Sequence, residues 1–377
     1  MKLAFCLLNY FPYGGLQRDF LRIARECMRR GHEVHVYTTR WEGEVEPGLH
    51  LHVLKVNGVT NHARARSFSD QMRETIAGEG FGLVIGFNKM PHLDLYYAAD
   101  VCYQERMRAT RGFWYRLTPR YRAWSSLESA VFAPGTKTGI LLISAIQQQA
   151  YAACYGTEAA RFHLLPPGIN RDRLAPDNAT VVRVEQLRVL GLADDDLLLL
   201  MVGSGFRTKG LNRAIASLAA LPAELKKRCH LYVIGKGDVG PFTRQASKLG
   251  VVGQVHIIGP SDDVPQFLLA ADLLLHPSYH ENTGTVLLEA LAAGLPVLTT
   301  AVCGYAHYVS DAAAGIVLPQ EFSQSTWNQA LENMLISADR VHAGRNGLQF
   351  ARTADIYSMP EHAADLIEQR ASQRVIS

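Results

Sequence analysis

Short aliphatic runs alternate with helical patterns along the whole chain, and they do so twice. In the first series KLAFCLL, EVHVYTT, LHLHVLKV, GLVIGF and GILLIS are separated by segments such as LQRDFLRIARECMRR, which Gly31 closes. Prolines and polar residues interrupt the pattern at FHLLPPGINRDRLAPDN, after which LLLLMVGSG, HLYVIGKG, VHIIG, DLLLHPS and PVLTT begin a second series. Strands joined by helical crossovers run parallel and are covered on both faces, so they read as continuous apolar runs. The chain is therefore expected to form two α/β, Rossmann-like, doubly wound domains facing each other across a cleft. The first spans residues 1–168 and the second 169–355. A C-terminal helix at about 356–377, in DIYSMPEHAADLIEQRA and beyond, is expected to cross back to the first.

Composition agrees with a two-domain globular enzyme. The 377 residues exceed a usual single-domain length, and 48% hydrophobic with 19% charged residues leaves little room for disorder. A net charge of +3 is too mild for a nucleic-acid binder. Six cysteines without a CxxC pair, mostly in apolar runs, are expected to be reduced core thiols in a cytosolic setting. The N-terminal MKLAFCLLNYFP reads as a first strand, because its apolar stretch is short, its only basic residue is Lys2, and no small-residue cleavage site follows. No run of about eighteen apolar residues predicts a bilayer span.

Open α/β sheets bind ligands beyond the carboxyl ends of their strands, where helix N-termini offer free N–H groups to anions. In NYFPYGGLQRDF the glycines Gly14 and Gly15 precede a helix expected near Leu16, with Asp19 in its first turn. That turn suits close approach of a ligand, and equally an ordinary tight turn with Asp19 serving the helix dipole. VGSGFRTKG repeats the layout, with Gly203 in the turn and Arg207 and Lys209 beside it, a cationic setting suited to a diphosphate. It is not a P-loop, since Gly210 follows Lys209. GKGDVG, Gly235 to Gly240, satisfies GxGxxG, but Asp262 and Asp263 fall beyond the next strand in a helix-cap position, so no dinucleotide is expected. Asp194, Asp195 and Asp196 read as a solvated loop rather than a metal-binding DxD, and no HxxxH pair or Cys/His cluster has metal-ligand spacing.

HENTGTVLLEALAAGLPVLTT holds Glu281 and Glu289, the second inside an apolar helical run where an unpaired charge would cost stability. The helix is expected to start near Thr283 or Gly284, leaving the N–H groups of Asn282, Thr283, Gly284 and Thr285 for phosphate oxygens.

Taken together, YFPYGGLQRDF, GFNKMPHLDLYYAADVCY, LLPPGI with Arg173, GSGFRTKG, and Glu281 to Glu289 with GLPVLTTAVCGYAHY resemble a retaining GT-B glycosyltransferase. More narrowly they resemble the lipopolysaccharide core glucosyltransferase I family (WaaG-type), from Met1 to about DIYSMPEHAADLI. The resemblance implies a UDP-sugar donor, with Glu281 on the hexose, Glu289 on the ribose, and the diphosphate on Arg207, Lys209 and the glycine turn. It implies retention at the anomeric carbon without a metal or other cofactor, the leaving phosphate taking the acceptor proton and Asp19 and Asp100 assisting. The implied acceptor is an inner-core heptose of lipopolysaccharide, at the cytoplasmic face of the inner membrane. Two departures stand out. Thr208 separates Arg207 from Lys209 where the family pattern often joins the two cations, and GPSDDV lacks the arginine of the family's G-R-x-D-V turn. Asn282 and Thr283 stand where small apolar residues occur in glucose-using members. They point to UDP-N-acetylgalactosamine ahead of UDP-glucose unless they merely cap the helix. A sugar-nucleotide epimerase or dehydrogenase of similar fold, or a non-catalytic nucleotide-sugar-binding protein, would also use these donor residues.

Residues 103 to 132 interleave Arg106, Arg108, Arg111, Arg116, Arg120 and Arg122 with Phe113, Trp114, Tyr115, Tyr121 and Trp124, against Glu105 and Glu128. Arg116, Arg120, Arg122, Trp114 and Trp124 are expected to meet an anionic membrane surface, the competing reading being a helix with solvated arginines.

Overall fold

The computed structural model of the chain describes residues 1–12, 14–193 and 195–376. It comprises two compact units, Met1–Gly168 with Tyr357–Ser377, and Ile169–Ile356. Ile356, placed with the C-terminal helix by the sequence reading, belongs to the second unit, where its carbonyl accepts a hydrogen bond from the Ile169 N–H at 3.0 Å.

The first unit contains β1 (Lys2–Cys6), β2 (Asn9–Tyr10), β3 (Glu33–Thr38), β4 (Arg40–Trp41), β5 (Leu49–Val53), β6 (Leu83–Gly86), β7 (Leu95–Ala98), β8 (Gly139–Leu142) and β9 (Phe162–Leu164). Seven of them form a parallel sheet in the order β5-β3-β1-β6-β7-β8-β9, and β2 pairs separately with β4. Its helices are α1 (Gly15–Arg29), α2 (Asn61–Ile76), α3 (Tyr103–Thr110), α4 (Pro119–Phe132) and α5 (Ala145–Tyr155). Period-2 alternation along β1 separates two cores. Leu3 and Phe5 join Phe20 and Ile23 of α1 on one face, and Ala4 and Cys6 join Tyr96, Phe132 and Tyr151 on the other.

The second unit holds β10 (Leu197–Val202), β11 (Cys229–Ile234), β12 (Val255–Gly259), β13 (Leu273–His276), β14 (Val297–Thr300) and β15 (Gly315–Leu318), ordered β12-β11-β10-β13-β14-β15 and parallel throughout. Around it lie α6 (Ala179–Val189), α7 (Leu211–Ala220), α8 (Ala223–Arg228), α9 (Gly240–Lys248), α10 (Val264–Ala270), α11 (Thr285–Ala292), α12 (Ala306–Asp311), α13 (Gln324–Ile336) and α14 (Asp339–Thr353). Leu199, Met201, Leu231, Val233, Leu275 and the fully buried Trp327 of α13 make its core.

The last helix, α15 (Met359–Ile376), returns to the first unit. Met359, Ala363, Ala364 and Ile367 enter the α1 side of that core. Charges flank the seam: Arg30 reaches Asp365 at 2.6 Å and Glu368 at 3.0 Å, and His32 reaches Glu368 at 2.8 Å.

In each sheet the strand order reverses beside the first strand of the series, between β1 and β6 and between β10 and β13. Parallel sheets accept ligands at such switch points, because the flanking crossovers leave in opposite directions and part the loops there. All six cysteines are free thiols, and only Cys154 is not buried. Among the described residues no helix is long and apolar enough to cross a membrane.

Candidate functional site

The turn after β10 and the turn after β13 meet at the second unit's switch point. Gly210 is the N-cap of α7 in the left-handed conformation, φ 78°, and a Cβ there would lie 2.1 Å from the Pro277 carbonyl oxygen. The two turns are stitched by the Tyr279 N–H on the Thr208 carbonyl, 2.8 Å. Arg213 of α7 adds a clamp, donating to the carbonyls of Pro277 (3.0 Å) and Ser278 (3.2 Å) while its guanidinium lies between the rings of Tyr279 and Phe322. This brings Lys209, in the turn that follows β10, onto the Glu281 carboxylate as an ion pair.

Glu281 has a second partner that the sequence reading missed. His276, the last residue of β13 and 1% exposed, places Nε2 3.3 Å from the Glu281 carboxylate and 3.0 Å from the Ser278 hydroxyl. Burial opposes the imidazolium, but the Cys303 sulfur and the Glu281 carboxylate outweigh it and push the His276 pKa up to about 9. Burial likewise opposes the Glu281 carboxylate, yet the His276 hydrogen bond and the Lys209 charge hold it at about 2. An ionised carboxylate only accepts hydrogen bonds, and Glu281 is so held between two cationic groups. The signal for His276 was its place at the end of a strand that otherwise reads as plain core, DLLLHPS.

The helix after Glu281 begins later than expected. Gly284, φ 80°, is the N-cap and Thr285 the first residue of α11, so Asn282 and Thr283 precede the cap. The Thr283 carbonyl accepts from the Tyr305 N–H at 2.8 Å, and Glu281 bridges to Cys303, which fixes this segment along the following turn. Glu289 lies one turn into α11, 6% exposed, with its Oε1 3.8 Å from Nε of Arg173. Arg173 and Glu289, singled out separately in the sequence, are thus neighbours. Arg207 is exposed on the β10 turn, and a Cβ on Gly203 would lie 3.0 Å from the Lys209 stem.

The GxGxxG run has a structural cause. A Cβ on Gly235 would lie 2.3 Å from the Gly203 carbonyl oxygen, and one on Gly237 would lie 2.6 Å from the Phe206 ring, so these glycines admit the neighbouring β10 turn. Asp263 is the N-cap of α10 and makes no side-chain cap bond. Asp195 and Asp196 meet Arg228 at 3.2 Å and His230 at 3.7 Å, and Asp194 lies outside the described residues.

The remaining predicted residues belong to the first unit. Gly14 is the N-cap of α1, where Gln17 and Phe11 leave no room for a Cβ, and Gly15 is the helix's first residue. Asp19 therefore sits in the second turn rather than the first, and its carboxylate accepts from the Tyr97 hydroxyl at 2.8 Å. Asp100 is exposed beyond β7, its carbonyl accepting from the Tyr151 hydroxyl at 2.8 Å.

The arginine-aromatic stretch forms α3, a short 3-10 turn (Phe113–Leu117) and α4. All six arginines are exposed, as are Phe113 (67%), Trp114 (77%) and Leu117 (51%), whereas Trp124 is half-buried on α4. Glu128 does not offset these charges at the surface. It is fully buried, paired with Lys89 at 2.5 Å, and accepts from the N–H groups of Tyr103 (2.8 Å) and Gln104 (3.0 Å) at the start of α3 and from the Tyr155 hydroxyl (2.6 Å).

Comparison with known proteins agrees with this architecture. The family described as Glycosyl transferases group 1 matches residues 182–349, and Glycosyltransferase Family 4 matches residues 13–173. The chain is 45% identical over 368 residues to the lipopolysaccharide glucosyltransferase WaaG of Escherichia coli (strain K12), covering 97% of this chain and 98% of that one. A crystal structure of WaaG, a glycosyltransferase involved in lipopolysaccharide biosynthesis, superimposes with a TM-score of 0.93 at 44% identity over 97% of this chain and 99% of that one. Anabaena Alr3699/HepE in complex with UDP-glucose shares the fold, with a TM-score of 0.75 at 18% identity over 98% of this chain and 100% of that one. Two doubly wound units with a cation-carboxylate pair at the second switch point, matched end to end by these relatives, make this chain a GT-B glycosyltransferase belonging to the WaaG family.

Proposed function

We propose that the enzyme transfers a hexose from a UDP-sugar to an inner-core heptose of lipopolysaccharide, with retention and without a metal, at the cytoplasmic face of the inner membrane. The observation that carries the donor reading is Lys209 and His276 converging on Glu281 beside the N-terminus of α11. The acceptor reading rests on likeness to the lipopolysaccharide glucosyltransferase of E. coli. With a transferase established, the epimerase, dehydrogenase and non-catalytic alternatives give way.

In this reading the α11 N–H groups, Lys209 and Arg207 receive the diphosphate, and Gly14 and Gly15 keep their assignment as donor contacts. The bond between the anomeric carbon and the diphosphate oxygen breaks as the acceptor hydroxyl oxygen attacks from the same face. The acceptor proton passes to the leaving phosphate, whose charge the two cations and the helix terminus stabilise. Glu281, kept ionised, accepts from hexose hydroxyls and Glu289 from the ribose; Asp19 and Asp100 assist at the acceptor or beside the oxocarbenium ion.

Glu289→Ala is expected to weaken UDP binding about tenfold or more in calorimetry, since a charged acceptor is lost in the ground state and the transition state alike. Glu281→Gln is expected to lower turnover with little change in UDP affinity. Unchanged UDP affinity in Glu289→Ala would refute the ribose assignment.

For the donor sugar, UDP-N-acetylgalactosamine is preferred over UDP-glucose in this reading. Asn282 and Thr283 lie before the Gly284 cap, so capping α11 does not account for them. The E. coli relative's name favours glucose. Mass spectrometry of a purified core acceptor incubated with each donor tests both the transfer and the preference. Faster turnover with UDP-glucose removes the preference, and no mass gain with any UDP-sugar removes the reading.

The His276–Glu281 contact predicts a pH dependence of stability. The His276 pKa is raised in the folded state, so its contribution is complete below the ordinary imidazole value and lost as pH rises through about 9. The difference in unfolding free energy between wild type and His276→Gln should shrink between about pH 7 and pH 10 in urea titrations; a constant gap contradicts the assignment.

Membrane attachment is proposed to follow the exposed arginines and Phe113, Trp114 and Leu117, with Trp124 contributing mainly to α4. Vesicles with anionic lipid should co-sediment the enzyme in a salt-sensitive manner. Equal binding by a variant with Arg116, Arg120 and Arg122 replaced by serine would mark the stretch as a solvated face.

A further inference from the structure

The edge of the first unit's sheet carries a second cluster of chemistry-bearing side chains. β5 is the edge strand and pairs in parallel with β3, His35 opposite His50 and Tyr37 opposite His52. Glu33, His35 and Tyr37 alternate along β3, and His50 and His52 along β5, so all five stand on one face of the sheet. His50 and His52 are visible together in LHLHV, but the other imidazole and the carboxylate arrive from the neighbouring strand. The spacing along the chain therefore carries no metal-like pattern.

One carboxylate oxygen of Glu33 and one ring nitrogen each from His35 and His50 lie within 4.8 Å of one another. Glu33 and His50 are exposed and His35 is half-buried, and the His50 ring is stacked on His35 with centroids 4.6 Å apart. His35 is already oriented. Its Nε2 meets the Glu33 carboxylate at 2.7 Å and its Nδ1 meets His52 Nε2 at 3.0 Å. His52 is stacked on the Tyr37 ring, centroids 4.6 Å apart and 13° from parallel.

The second unit repeats this frame without the ligand set. His230 and Tyr232 of β11 meet His256 of β12 in the same relation, with His230 Nδ1 3.4 Å from His256 Nε2 and Tyr232 stacked on His256 at 4.5 Å. The residue two before His256 is Gln254, whose side-chain amide donates to the Lys226 carbonyl at 2.9 Å. Among the described residues, only the Glu33 group brings three such ligands within reach.

We propose that Glu33, His35 and His50 bind one divalent transition-metal ion of the zinc class, with His52 positioning His35. Two imidazoles and a carboxylate suit a borderline cation, bonded at about 2.0–2.2 Å, and three protein ligands leave a fourth position for water. The His52–Nδ1 contact is the outer-shell hydrogen bond that a metal-bound imidazole ordinarily makes. The ion would staple the edge strand to its neighbour, and because it binds the folded chain it would raise stability in proportion to its occupancy.

The test uses the full chain without an affinity tag, with zinc chloride in calorimetry and cobalt chloride in visible absorption. Wild type is expected to take up one zinc ion per chain, to unfold at a higher temperature with zinc present, and to give a cobalt band. His50→Gln and His35→Gln should each weaken zinc binding by more than about tenfold and remove the band, and His52→Ala should weaken it by about tenfold. His230→Gln and Cys154→Ser should bind as wild type does. Circular dichroism checks that each variant folds, and His50→Gln, at an exposed position, carries the test alone if His35→Gln does not. Zinc uptake by wild type no greater than by His50→Gln, or an equal loss in His230→Gln or Cys154→Ser, would overturn the proposal.

Discussion

Backbone touches backbone at the carboxyl end of the second sheet, and the site depends on that closeness. The Gly203 carbonyl fills the space a side chain on residue 235 would need, and the Pro277 carbonyl fills the space beside residue 210. Three strand-to-helix turns, after β11, β10 and β13, therefore lock together without intervening side chains. Lys209 can reach Glu281 only because the turns carrying them are seated this way, and Arg213 between two rings holds the second of them from behind. A methyl group at residue 210 or 235 would have to displace main chain, where the cost is high and side-chain repacking offers little relief.

Most of the architecture was legible because strands covered on both faces must be apolar throughout, and such runs separated by helical patterns admit few folds. The break at Gly168 was readable from its prolines, and the return of the last helix from its renewed periodicity. What escaped the sequence depends on partners distant along the chain. His276 looks like the end of an apolar strand until Glu281 folds against it. Glu128 looks like a counter-charge among arginines until Lys89 is brought beside it, and Asp19 looks like a first-turn dipole partner until α1 begins at Gly15 and Tyr97 arrives. The glutamates fared better, since a carboxylate inside VLLEALAAGL demands a partner wherever it is found, and Arg173 is beside it.

Two lysine-glutamate pairs illustrate different uses of a buried charge. Lys89 and Glu128 are enclosed by further hydrogen bonds, with the Val101 carbonyl accepting from the lysine and two backbone N–H groups donating to the carboxylate. Such saturation offsets desolvation and fixes one arrangement. Lys209 and Glu281 lie in the turns after β10 and β13, where their contact orients both side chains and, with His276, holds the carboxylate ionised.

Glu128 also separates two demands that an exposed cationic segment usually confounds. The start of α3 is tied to the interior through main-chain N–H groups rather than through the outward side chains, so the placement of the segment does not depend on which residues it displays. Arginines and aromatics on its outer surface are then free to change in number and kind while the anchor stays the same. Change in what the segment displays and preservation of the fold thus fall on different residues.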